Sequence, residues 1–149
     1  MKIILIIVGI LFVVLLAAGI GGYVYIANEG KECDASSKAY VDECVPAIIS
    51  NWSKDELVKR ESPQLHDAVS DDQLDTMFTK LSGLGPMQSY DGAEGKARVH
   101  LTKSAKFLIT ADYVAQATFP RGKIKIKINL IQIDGTWMIQ GFGIVPASP

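Results

Sequence analysis

Along this chain the apolar positions follow three successive rules. From Ile3 to Ala27 they run for 25 residues without a charge. From Ser36 to Leu81 they recur every three or four residues, as helices require, and after Pro86 they recur every second residue, as strands require. The first helix is predicted to begin at Ser36 or Ser37, whose hydroxyls can cap free backbone N–H groups. It carries Tyr40, Val41, Cys44, Val45, Ile48, Ile49 and Trp52 on one stripe. Pro46 has no N–H to give and predicts a kink or break within it. Ser53 with Glu56, Ser62 before Pro63, and Ser70 with Gln73 open three further helices. The last of these carries Leu74, Met77, Phe78 and Leu81 and stops at Gly83 and Gly85-Pro86.

In the period-two region a strand is predicted around Val99 and Leu101. A longer one over residues 105–119 places Phe107, Ile109, Ala111, Tyr113, Ala115, Ala117 and Phe119 on a single face. Pro120-Arg121-Gly122 turns the chain. Ile124, Ile126, Ile128 and Leu130 then alternate with Lys123, Lys125, Lys127 and Asn129, and Asp134-Gly135 signals a hairpin into Trp137, Ile139, Phe142 and Ile144. The pattern changes face near Leu130-Ile131 and again near Gly141-Phe142, which predicts a bulge or bend at each place. Helices followed by strands predict an α+β domain, with helices packed on a curved antiparallel sheet, over residues 36–149. Residues 28–35 read as a linker to the apolar segment.

That segment raises the mean hydropathy of the 149 residues to +0.21. As a helix its 25 residues would reach roughly 37 Å, against about 30 Å for the hydrocarbon core of a bilayer. Tyr23 and Tyr25 suit the headgroup layer at its far end, leaving residues 3–22 for the hydrocarbon. A cleavable signal peptide ending near Ala17-Ala18-Gly19 is the competing reading, but the apolar run continues past that point, which favours a retained transmembrane anchor over residues 1–27. Lys2 favours a cytoplasmic N-terminus. The expected location is therefore the inner (cytoplasmic) membrane, crossed once, with the C-terminal domain in the periplasm or outside the cell. The roughly 120 residues beyond the segment suffice for one core and not for two.

Helices followed by a bent antiparallel sheet, with a last hairpin reading Asp134-Gly135-Thr136-Trp137-Met138-Ile139 and then Phe142, resemble the NTF2-like, cystatin-like-roll superfamily over about residues 36–145. The nearest resemblance is to its small, membrane-anchored bacterial members. It implies a conical fold with a pocket between helices and sheet, used by some members for small-molecule chemistry and by others as a shell for binding proteins. Fold alone does not choose between these uses.

Candidate chemistry is sparse. Cys33 and Cys44, eleven positions apart on the exported side, predict an intrachain disulfide worth about 3 kcal/mol by loop closure. His66 and His100 fall on polar positions, and no Cys or His pair has metal-ligand spacing. There is no nucleophile elbow, phosphate loop or other cofactor motif. Asp112 is the strand acid to weigh, since pocket isomerases of the superfamily use a buried carboxylate, but it alternates with the apolar face formed by Ala111 and Tyr113. The small residues Ala111 and Ala115 share that face with Phe107, Tyr113 and Phe119. Trp52, Phe78 and Trp137 complete the candidate lining of a pocket for an apolar small molecule. Either the aromatic side chains fill this space or a cavity remains with Tyr113 as its main polar group.

Charge divides the chain. Residues 28–94 carry 6 basic and 14 acidic side chains, residues 95–149 carry 8 and 2, and with Lys2 the total is −1. Compensation within one domain accounts for this, with Lys123, Lys125 and Lys127 keeping a strand from pairing with other chains. An acidic envelope partner for the lysine row is the sharper alternative. With no overall basic excess, nucleic acid is not an expected partner. The expected role is a non-catalytic binding or assembly module of the bacterial envelope, with a pocket enzyme or apolar-ligand carrier as the alternative.

Overall fold

A computed structural model describes residues 31–146, and those from Cys33 onward form one compact unit. The proposed anchor, residues 1–27, lies outside the described residues. Among those described, no helix is long and apolar enough to cross a membrane.

Helix α1 covers residues 31–49 of the described chain, so residues 31–35, expected in a linker, are already helical. Ser36 and Ser37 therefore do not cap its start. In the helix interior they turn back on it instead, Ser36 Oγ donating to the Cys33 carbonyl at 3.3 Å and Ser37 Oγ to that of Asp34 at 3.2 Å. The buried stripe also begins earlier than the apolar pattern, because Cys33 and Ser37 precede Val41, Cys44, Val45, Ile48 and Ile49 on it. Pro46 does not break the helix; its carbonyl still accepts from Ser50 N–H at 3.0 Å.

Placing both cysteines on α1 removes the expected disulfide. Eleven residues of helix separate them by about 16 Å, whereas a disulfide needs Cα atoms within about 7 Å. No disulfide joins Cys33 to Cys44, and both are buried on the stripe that faces the sheet.

Three short helices follow: α2 (Lys54–Val58), α3 (Pro63–Ala68) and α4 (Asp71–Ser82). Their serine caps form as the sequence predicts. Ser70 and Gln73 make both halves of a capping box. Ser53 makes only its own half, accepting from Glu56 N–H, since the Glu56 carboxylate is taken by Lys59 and Arg60.

The sheet is an antiparallel meander in sequence order: β1 (Ser89–Leu101), β2 (Phe107–Phe119), β3 (Gly122–Ile133) and β4 (Thr136–Pro146). β1 is longer than its alternating part, because residues 89–97 pair with β2 despite the low strand propensity of Gly92 and Gly95, with Asp91 left out of register as a bulge. Gly95 has a steric reason: a Cβ there would fall 2.0 Å from the Asp112 carbonyl oxygen. The turn between β3 and β4 has Asp134 at φ 50° and Gly135 at φ 78°, as a two-residue hairpin with positive φ at both positions requires. One register shift serves for the two face changes expected, since Asn129 pairs with Gly141 and Leu130 with Ile139, leaving Gln140 as the extra residue. Beside it, Ile139 on β4 bonds the segment between α2 and α3, donating to the Arg60 carbonyl at 2.7 Å and accepting from Ser62 N–H at 2.8 Å.

Candidate functional site: the helix-covered face of the sheet

β2 directs Ala111, Tyr113, Ala115, Ala117 and Phe119 to one face and Asp112, Val114, Gln116 and Thr118 to the other. The first set is buried beneath α1. Small side chains at 111, 115 and 117 let the helix come close, and these three alanines have no solvent-accessible surface, so no water-sized space adjoins them. At one end of this face the Trp52 ring stacks on Phe119, with centroids 5.1 Å apart and planes at 24°, and its Nε1 donates to the Gly85 carbonyl at 3.2 Å. Phe78 and Trp137 belong to the same buried cluster.

At the other end lies a polar node. The Tyr113 hydroxyl is 2.9 Å from Ser37 Oγ, and both hydroxyls lie 3.2 Å from the Asp34 carbonyl oxygen. Asp34 Oδ1 accepts from Ala97 N–H at 2.6 Å, and Trp137 Nε1 donates to Ser36 Oγ at 3.0 Å. The first described turns of α1 are thereby tied to β1, β2 and β4 through Asp34, Ser36 and Ser37. Sequence reasoning missed this trio because polar side chains do not register in an apolar stripe. The available signal was Ser37 four residues before Val41, one helical turn back on the same face.

The structure brings together seven of the eight proposed lining residues, Trp52, Phe78, Ala111, Tyr113, Ala115, Phe119 and Trp137. Phe107 is not among them. It shares their face by strand parity, but it pairs with Leu101 at the tip of the β1–β2 hairpin, beyond the helices, and is 61% exposed. A recess between α3 and β4, of about 450 Å³, is lined by Val58, Glu61, Ser62, Pro63, His66, Asp67 and Met138 and lies outside the alanine face.

The titratable groups have assigned places. Burial pushes the Cys44 thiol up to about 12 against the opposing pull of Arg60, so at neutral pH it is a protonated thiol donating weakly to the Val41 carbonyl. Burial likewise pushes the Tyr40 phenol up to about 12, with Cys44 adding to the effect. Tyr90 is raised by burial and by its hydrogen bond to Asp42 Oδ1 at 2.9 Å. His66 is exposed and 2.7 Å from Glu61 Oε1, which raises its pKa; His100 is exposed beside Thr110 Oγ1 at 3.3 Å. Asp112 lies on the outer face, accepting from Asn129 Nδ2 at 2.6 Å. Lys123, Lys125 and Lys127 are exposed on that same outer face. Among the described residues no three His, Cys, Asp or Glu side chains gather as metal ligands, and no buried side-chain polar atom lacks a partner.

The arrangement defines a class: an α+β domain in which a four-stranded antiparallel meander carries one long helix and three short ones. Comparison with family models, curated proteins and solved structures finds no match for this chain.

Proposed function

We propose that this chain is a single-span membrane protein that holds an NTF2-like domain outside the cytoplasm as a non-catalytic binding or assembly module of the bacterial envelope. The observation that carries this reading is the charge-free run from Ile3 to Ala27, long enough to cross a bilayer and placed directly ahead of a domain with its own core. The state of the candidate reactive groups supports the non-catalytic part. The Cys44 thiol is buried and protonated, Tyr113 is engaged by Ser37 and Asp34, and Asp112 is turned to the outer surface. A general base or nucleophile needs both an activating partner group and a reachable substrate; Cys44 and Tyr113 are buried away from any substrate, and Asp112 is exposed with only the Asn129 amide beside it.

The test is alkaline extraction of membranes from expressing cells, combined with protease treatment from the outer side of spheroplasts. The expected result is protein that stays with the membrane and a domain digested only from outside. Release into the alkaline supernatant, or protection until the cells are lysed, would contradict the reading.

A further inference from the structure

The helix-covered face of the sheet continues past its cover at the β1–β2 hairpin. There Leu101 and Phe107 are cross-strand partners, 69% and 61% exposed, and Leu108 on the opposite face is 37% exposed. Three large apolar side chains at one exposed tip are costly in water unless something else receives them.

The loop that carries them is closed on itself. Thr102 N–H donates to the Lys106 carbonyl at 2.8 Å, Ala105 N–H to the Thr102 carbonyl at 3.0 Å, and Lys106 N–H to Thr102 Oγ1 at 3.2 Å. Thr102 Oγ1 itself donates to the Lys106 carbonyl at 2.9 Å. A turn that pairs part of its own backbone, as this one does through Thr102, Ala105 and Lys106, gives up fewer bonds to water on entering a lipid interface.

Charge and position name the occupant. Residues 96–111 hold Lys96, Arg98, Lys103 and Lys106 and no acidic side chain. Two of these lysines lie in the loop itself, between the apolar residues. Apolar tips ringed by lysine suit an anionic bilayer surface, where the rings and aliphatic groups enter the interface and the ammonium groups meet headgroups. The tip also lies at the end of the domain that holds the first described turn of α1. Asp34, in the first described turn of α1, bonds Ala97 on β1, four residues before Leu101, and the β3–β4 turn at Asp134-Gly135 is at this same end. The lysine row begins at the opposite end, since Lys123 pairs with Thr118 beside the β2–β3 turn.

We propose that the β1–β2 hairpin tip, through Leu101, Phe107, Leu108, Lys103 and Lys106, docks on the anionic bilayer surface, giving the domain a second membrane contact. The proposal rests on the anchored reading above.

The test uses the full chain reconstituted into vesicles of brominated phosphatidylglycerol, comparing the parent with Phe107→Trp, a substitution at an exposed site. Parent emission comes from Trp52 and Trp137, both buried, and sets the baseline. The expected result is a tip tryptophan that loses emission to the brominated chains beyond that baseline, and regains it when Lys103→Gln and Lys106→Gln are added. Protein that withstands an alkaline wash but shows only baseline quenching overturns the tip contact and leaves the anchor standing. Emission that shifts to the blue with rising protein-to-lipid ratio, without quenching, assigns the tip to a second copy of this chain and overturns the proposal. Protein removed by the wash overturns the anchored reading and the tip contact together.

Discussion

Phe119 and Phe107 stand on the same face of the same strand, twelve residues apart, and meet opposite fates. Phe119 is 2% exposed beneath the Trp52 ring, whereas Phe107 is 61% exposed opposite Leu101. Alternation along β2 assigns both to the inner face and cannot distinguish them. What separates them is the reach of the helical layer, a long-range property. Burial on a sheet is therefore set by two coordinates, parity along the strand and distance under the covering element.

Truncating the two rings separates their environments most strongly. Phe119→Ala should cost about 3–5 kcal/mol, the usual range for deleting a buried aromatic ring, while Phe107→Ala should stay within about 0.5 kcal/mol. Denaturant melts of the two variants check this, and equal losses would mean that Phe107 is covered.

Next in size is Ala115→Leu. With no accessible surface at position 115, the added side chain has nowhere to go, and overpacking should destabilise by about 1–3 kcal/mol. A neutral or stabilising result, accompanied by loss of binding of an apolar fluorescent probe, would instead reveal a ligand cavity.

Tyr113→Phe tests the polar node at the other end of the buried face. It leaves the ring's packing intact and removes one hydroxyl shared with Ser37 and Asp34, for a loss of about 1 kcal/mol. Ser37→Ala together with Tyr113→Phe should cost less than the sum of the two single changes, because each already breaks the same bond. A thermodynamic cycle of four melts measures this.

The smallest effect appears only in alkali. The Cys44 thiol, ordinarily ionising near 9.0, is held to about 12 by burial. Above pH 9 the unfolded chain releases this proton while the folded chain keeps it, so stability falls as pH rises from there toward 12. Cys44→Ala should flatten that fall, and in the folded parent Cys44 should resist alkylation at neutral pH. Rapid labelling of Cys44 in the native protein would contradict its burial.

Much of the fold was legible because it is written in short-range patterns. Ser62 before Pro63, the Ser70–Gln73 box, Asp134-Gly135 and the alternation of β2 and β3 each fix local geometry with a few residues. Three features escaped for physical reasons. Helix α1 already runs at residue 31, and Ser36 and Ser37, cap-like in the sequence, are interior residues whose hydroxyls bond back to carbonyls one turn earlier. β1 extends back to Ser89 because pairing with β2 overrides the low strand propensity of Gly92 and Gly95. The spacing of Cys33 and Cys44 suits a disulfide only in a loop, and a rigid helix holds them three turns apart. Of the candidate lining, the aromatic and alanine positions were readable from parity; the Asp34–Ser37–Tyr113 node was not, since polar partners from distant segments leave no periodic trace.

The proposed function requires that the run from Ile3 to Ala27 stays attached and holds the domain at the membrane. Intact-mass measurement of protein extracted from membranes by detergent tests it most directly. The expected mass is that of a chain that still carries this run. A mature chain beginning near Ile20 would contradict it.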